Sequence, residues 1–148
     1  MDEDAYKDTY AVVNPVLCCF EKAILGRKCT CILSHRFHLA DREGVACQSQ
    51  DAQLRCQQTL RVVRDKSRFA LKRVGDSGQL PHNTELRIQA GTISGLKAVV
   101  SAHPTDDVDS LLTTANADFG DVESYPFDQI MRAIVQYKPR SRRSRRDT

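Results

Sequence analysis

Cys18, Cys19, Cys29, Cys31, Cys47 and Cys56 all fall within the first 56 residues of this 148-residue chain, and the remaining 92 residues contain no cysteine. Cysteines used only as small core residues would be scattered, whereas a centre that needs four sulfurs around one point gathers them. Thiolates bind zinc ions and iron–sulfur clusters, so metal–thiolate ligation is the chemistry this clustering indicates. Zinc sites favour paired cysteines two or four residues apart. Here the separations run from Cys19 to Cys29, Cys31 to Cys47 and Cys47 to Cys56, wide and irregular. A cluster several ångströms across spans such ligands more readily than a single ion does, although the close-spaced ferredoxin run is also absent. An iron–sulfur cluster is therefore the expected cofactor, with zinc as the alternative.

Disulfides are the competing use of six cysteines, and they persist in oxidising compartments. The chain opens acidic, Met1-Asp2-Glu3-Asp4, and its apolar run from Ala11 to Phe20 is broken by Asn14 and Pro15 with no small-residue cleavage site. No export signal is read from this pattern, and no stretch approaches the ~20 apolar residues of a membrane span. Reduced thiols in a cytoplasmic protein are the expectation.

Four sulfurs must converge from separate elements. Residues 27 to 40 read as a strand with Cys29, Cys31, Leu33, His35, Phe37 and Leu39 on one face, which spaces Cys29 and Cys31 about 6.5 to 7 Å apart. Asp41-Arg42-Glu43-Gly44 supplies turn chemistry, and Val45-Ala46-Cys47 returns alongside. Ser49 or Asp51 then caps a long helix whose inner stripe is Ala52, Cys56, Leu60, Val63, Leu71 and Val74, completed by Ser67. Cys56 sits near the start of this helix, where the dipole favours a thiolate. Strand face, returning loop and helix start make Cys31, Cys47 and Cys56 the core ligand set, with one of Cys18, Cys19 or Cys29 as the fourth. Adjacent Cys18 and Cys19 contribute at most one ligand between them. The metal-ligating candidates are thus Cys18, Cys29, Cys31, Cys47 and Cys56. His35 is a substitute on the strand face, but a lone histidine there reads first as a packed residue.

The outer face of the long helix carries Arg55, Arg61, Arg64, Lys66, Arg68, Lys72 and Arg73 against one acid, Asp65. Between Asp106 and Asp128 seven acids occur with no base, so this segment can lie across the arginine face. Further on, Leu86, Ile88 and Ala90 alternate as a second short strand, with Gly91 and Gly95 flanking a tight passage. Residues 106 to 116 read as a short helix capped by Thr105 or Asp106, and residues 115 to 125 as a polar connector. Pro126 opens a last helix with Phe127, Ile130, Met131 and Ile134 on its apolar side.

With 41% apolar residues the chain supports one core without staples. The fold expected is a small single α+β domain over 11–137, built on a Cys-bearing strand, loop and helix, a central basic helix, the second strand region and C-terminal helices. A flexible acidic N-terminus (1–10) precedes it and a disordered basic tail (138–148) follows. The net charge of +3 arises in that tail, since the chain before Lys138 holds 16 basic and 18 acidic residues. Arg142 and Arg143 in the tail, with Arg61, Arg64 and Arg68 on the helix, are the candidate contacts for a partner with an acidic surface or for nucleic acid. No nucleophile elbow, P-loop, dinucleotide fingerprint or H-E-x-x-H is present, so no enzyme chemistry is indicated. The functional expectation is a cluster protein in electron transfer, redox sensing or as an accessory subunit of a redox assembly. A zinc-stabilised nucleic-acid-binding or protein-interaction module is the alternative.

Overall fold

Ser49 caps the longest helix of the chain, its hydroxyl accepting the Ala52 amide at 3.2 Å. In the computed structural model, which describes residues 3–72 and 80–138, this helix is α3, Gln50–Ala70, and it buries Cys56, Thr59, Leu60, Val63 and Ser67. The stripe expected from the sequence is the one that faces the core. Val74, Arg73 and the Gly75 to Gly78 loop lie outside the described residues, as do Arg142, Arg143 and the rest of the tail from Pro139.

Before α3 come α1 (Glu3–Val13), α2 (Glu21–Leu25), β1 (Ser34–Leu39) and β2 (Arg42–Cys47); after it come α4 (His82–Val99), α5 (Val108–Phe119), a 3-10 turn (Val122–Ser124) and α6 (Phe127–Gln136). The fold is therefore a small α+β domain, helices around one antiparallel hairpin. The acidic start, expected to be flexible, is helical as α1. It lies on the hairpin through rings rather than core burial: Tyr10 meets Phe37 with centroids 5.7 Å apart, and the Arg42 guanidinium sits 4.3 Å over Tyr6 while pairing with Glu3.

The hairpin turn falls at Ala40–Asp41, because Leu39 pairs with Arg42. Ala40 takes the positive φ of 56° that so short a loop requires. Gly44, expected in the turn, is instead in β2, where a Cβ would stand 2.6 Å from the Phe37 ring and 2.9 Å from Tyr10. The expected strand from residue 27 is also shorter. Cys29 to Cys31 precede β1, and Thr30 pairs in parallel with Asp107 at the start of α5. A turn then separates Cys31 from the strand, with the Cys31 carbonyl accepting the Ser34 amide at 3.0 Å. Cys29 and Cys31 are thus held by α5, not by β1.

The second strand expected over residues 86–90 is a helix, α4. Its buried positions Glu85, Ile88, Gln89, Thr92, Ile93 and Leu96 recur at three- and four-residue spacing, but half of that stripe is polar and invisible to a hydrophobic pattern. Each polar member is satisfied. Arg64 Nε reaches both Glu85 oxygens at 3.0 and 3.1 Å, Gln89 accepts the Ala23 amide at 3.0 Å, and Thr92 donates to the Ile88 carbonyl at 2.7 Å. Gly91 and Gly95 let α6 approach: a Cβ on Gly91 would lie 2.6 Å from Ile134 Cα, and one on Gly95 2.9 Å from Ile130 Cα. Gly91→Ala gains about 1 kcal/mol of helix propensity but meets backbone, which cannot rotate away. A net loss of about 1–3 kcal/mol is expected, read as a lower urea midpoint. A midpoint equal to or above wild type would mean that α4 and α6 do not pack at this position.

α5 begins at Val108, two residues later than expected, with Asp107 as its cap, and it runs to Phe119 into the expected connector. α6 starts after Pro126 and buries Ile130 and Ile134, as the sequence indicates.

Candidate metal centre

Five of the six thiols line one small cavity of about 20 Å³: Cys18, Cys19, Cys31, Cys47 and Cys56, with Arg55, Gln53, Ala52, Phe20, Leu33 and Val108 completing its wall. They arrive from four places: the turn before α2, the turn before β1, the end of β2 and the second turn of α3. Cys29, an expected ligand candidate, does not line this cavity. It is a core residue, 3% exposed. All six are free cysteines.

Backbone pairing settles the faces. Leu17 bridges Ala46, the Cys18 amide donates to the Val45 carbonyl at 3.1 Å, and the Cys47 amide donates to the Val16 carbonyl at 2.8 Å. Residues 16–18 thus form a third edge on β2. Two-residue alternation places Cys18 and Cys47 on one face and His35, opposite Ala46, on the other. His35 is exposed there, away from the thiols.

Cys47 and Cys19 donate hydrogen bonds, to the Ser49 carbonyl at 3.1 Å and the Gln53 carbonyl at 3.6 Å. Arg55 Nη2 stands 3.7 Å from Cys56 Sγ. Burial dominates the protonation of the thiols. It pushes Cys18, Cys31 and Cys56 up, against the pull of neighbouring backbone amides and of Arg55, and takes Cys19 and Cys29 to about 12. The expected thiolate at Cys56 is corrected here. Cys56 lies beyond the unpaired amides of the first turn, where the dipole has faded, and burial outweighs the Arg55 charge.

Asp107 fixes the loop that carries Cys31. Its carboxylate accepts the Ser110 amide at 3.0 Å and the Ile32 amide at 2.5 Å, joining the α5 N-terminus to the residue after Cys31. Burial would raise this carboxyl, but the Ser110 and Ile32 hydrogen bonds, with Arg55 nearby, hold it below the usual range.

Among the described residues no three His, Cys, Asp or Glu side chains stand together at the spacing of ligands to one ion. The thiols share a cavity without closing to the tetrahedral distances of a mononuclear site. Cys18 and Cys19 also border an open groove of about 530 Å³ between α2, α3 and α4, walled by Glu21, Lys22, Arg64 and Glu85. It leads from solvent to the thiol wall.

The partner candidates on α3 are not equivalent. Arg61 is exposed and Arg68 is exposed beside Asp65 at 3.8 Å, whereas Arg64 is committed to Glu85. The acidic segment meets α3 where Asp109 pairs with Arg55 at 2.9 Å; Asp106 turns to Lys97 at 2.6 Å. Arg55 and Asp109 are the site residues that sequence reasoning missed, since each read as one charge in a run. The available signal was adjacency: Arg55 precedes a stripe cysteine. No helix among the described residues is long and apolar enough to cross a membrane. Comparison with protein-family models, with curated proteins and with solved structures gives no match.

Proposed function

We propose that this protein carries a thiolate-ligated metal centre, an iron–sulfur cluster, and acts in electron transfer, in redox sensing or as an accessory subunit of a redox assembly. The observation that carries the reading is the convergence of five thiols from four chain segments on one small cavity. Cys31, Cys47 and Cys56 are three ligands. Cys18 is the fourth, because it lies on the same face as Cys47.

The wide, irregular separations of the cysteines along the chain favour a cluster. A zinc site is the second reading, favoured by the cavity's small free volume, which admits one water-sized body. Either centre requires reduced thiols, in keeping with a cytoplasmic protein. Arg61 and Arg68, with Arg142 and Arg143 of the tail, are the proposed contacts for an acidic partner surface. The test is anaerobic purification followed by absorption spectroscopy and analysis for iron, acid-labile sulfide and zinc. A brown protein with a broad band near ~400 nm, iron and sulfide supports the cluster. A colourless protein with stoichiometric zinc supports the second reading, and six titratable thiols with neither metal refute both.

A further inference from the structure

The ends of α2 and α6 meet the start of α4 and gather cations at one pole of the domain. α2 ends against the first turns of α4: a Cβ on Gly26 would lie 3.7 Å from Leu86 Cδ1, and Lys22 Nζ stands 3.0 Å from His82 Nδ1. α6 ends there too, since Arg87 Nε donates to the Ile134 carbonyl at 2.8 Å and Lys28 Nζ lies 5.8 Å from the centroid of the Tyr137 ring. Arg87 is committed to the end of α6. Lys22, Arg27, Lys28 and Lys138 are not so held: among the described residues none of the four has a carboxylate partner, and Arg27, Lys28 and Lys138 are exposed. The acids carried by α2 and the start of α4 are already engaged. Glu85 is buried against Arg64, and Glu21 accepts the Tyr10 hydroxyl and the Val45 amide.

Acids hold the other end of α4. There Asp106 pairs with Lys97 at 2.6 Å, and Asp118 accepts the Ser101 amide at 2.7 Å. With 18 residues α4 is about 27 Å long, several times the ~8 Å Debye length at physiological ionic strength, so the acidic end does not cancel the basic one. The sequence continues from Lys138 into five arginines within residues 140–146, which add charge of the same sign. We propose that this pole binds the phosphate backbone of double-stranded nucleic acid, without sequence preference, through Lys22, Arg27, Lys28 and Lys138. Binding here requires neither a metal nor the thiols.

The chemistry of the pole selects this polyanion over others. A lipid surface or a protein interface calls for apolar side chains among the cations. None of the exposed large apolar residues belongs to residues 26–28, to the first turn of α4 or to residues 136–138. A single strand is held in large part by bases stacked on open aromatic rings. Tyr137, the ring of this pole, is half-buried beneath Lys28. Phosphate contacts require only cations that can reach the backbone, and each one releases counterions from the duplex. Cations set on the ends of separate elements, with an arginine-rich segment following the last of them, meet that requirement.

The experiment follows the fluorescence anisotropy of a labelled random-sequence DNA duplex of about 20 base pairs on titration with the full chain, from about 50 to 200 mM salt. The logarithm of the binding constant is expected to fall linearly with the logarithm of salt concentration. Arg27→Gln with Lys28→Gln makes that slope shallower by about 2, at roughly 0.9 per lost phosphate contact, and weakens binding by more than about tenfold at 0.1 M salt. Lys22→Gln with Lys138→Gln does the same, so the outcome is readable even if one double variant fails to fold. The charge-matched control, Arg61→Gln with Arg68→Gln on α3, changes the slope by less than about 1. No binding to the duplex at the lowest salt overturns the proposal, and so does an equal loss in the α3 control, which would mean attraction to the whole surface. Phosphatidylcholine vesicles containing phosphatidylserine, and polyglutamate, are compared at equal anionic charge. Binding to either as tight as to the duplex overturns the assignment to nucleic acid.

Discussion

Cys18→Ser, Cys31→Ser, Cys47→Ser and Cys56→Ser are each expected to lose most of the metal of the proposed centre, whereas Cys29→Ser and Cys19→Ser are expected to retain it. A serine hydroxyl does not ionise near neutral pH, so each of the four changes removes one thiolate from a site that needs all of them. Structural metals in small folds contribute on the order of 10 kcal/mol of apparent binding free energy. This domain has its own core around Leu60, Val63, Ile88 and Ile93, so it remains folded without metal, and the loss appears mainly as a drop in melting temperature of the loaded protein. Cys29→Ser is the informative control. It places a hydroxyl at a core position that is 3% exposed, costing about 1–3 kcal/mol, yet it leaves the cavity wall untouched. Stability and metal content therefore separate: Cys29→Ser loses stability and keeps metal, Cys47→Ser loses both. Metal analysis on anaerobically purified variants reads this directly, and full retention in Cys47→Ser would exclude the ligand set.

Apolar periodicity and local turn chemistry made part of this arrangement legible in advance. The α3 stripe and its Ser49 cap, and α6 after Pro126, follow from such local signals. So does the return of Cys47 along a hairpin, which together with α3 brings Cys47 and Cys56 to one cavity. The misread parts share a different physics. α4 is a helix whose buried face holds Glu85, Gln89 and Thr92, and their partners Arg64, Ala23 and Ile88 are in part remote in sequence; polar residues satisfied by tertiary contacts leave no hydrophobic period. Cys29 and Cys31 were assigned to β1 because extended segments look alike. Only the pairing of Thr30 with Asp107, across more than seventy residues, takes them to α5 instead. Gly44 is a turn residue by composition and a strand residue by contact, since its missing side chain makes room for the Phe37 and Tyr10 rings. Arg55 looked like one more surface cation until Asp109 and Cys56 closed on it. In each case the deciding interaction is non-local and polar or steric.

Metal-free protein is expected to lose stability steeply between about pH 8.5 and pH 10, and metal-loaded protein much less. An unfolded thiol ionises near pH 8.5. Burial holds the folded Cys29 thiol at about 12 and pushes Cys18 higher still, so in this window both remain protonated in the fold and ionise on unfolding. The sign follows from linkage: a group whose folded pKa is raised contributes its full stabilisation below the unfolded value, and that contribution is lost as pH climbs toward the folded one. Each such thiol costs about 1.4 kcal/mol per pH unit. Cys18 and Cys29, both buried, together remove about 4 kcal/mol by pH 10, a large part of the 5–15 kcal/mol typical of a domain. Cys31 and Cys56 act in the same direction. Stopping at pH 10 keeps half-buried Tyr10 and buried Tyr125, whose hydroxyls are also raised, from adding much to the effect. Metal changes the outcome because a ligand thiolate is already deprotonated in the folded state, so Cys18, Cys31 and Cys56 no longer release protons on unfolding, while the non-ligands Cys19 and Cys29 keep their penalty. Urea midpoints measured with reductant at pH 7.5, 8.5, 9.25 and 10, on chelator-treated and loaded protein, should therefore diverge with rising pH, and Cys29→Ala should reduce the residual slope of the loaded form. Parallel curves for the two forms would mean that metal leaves the Cys18, Cys31 and Cys56 thiols protonated, which no thiolate centre can do.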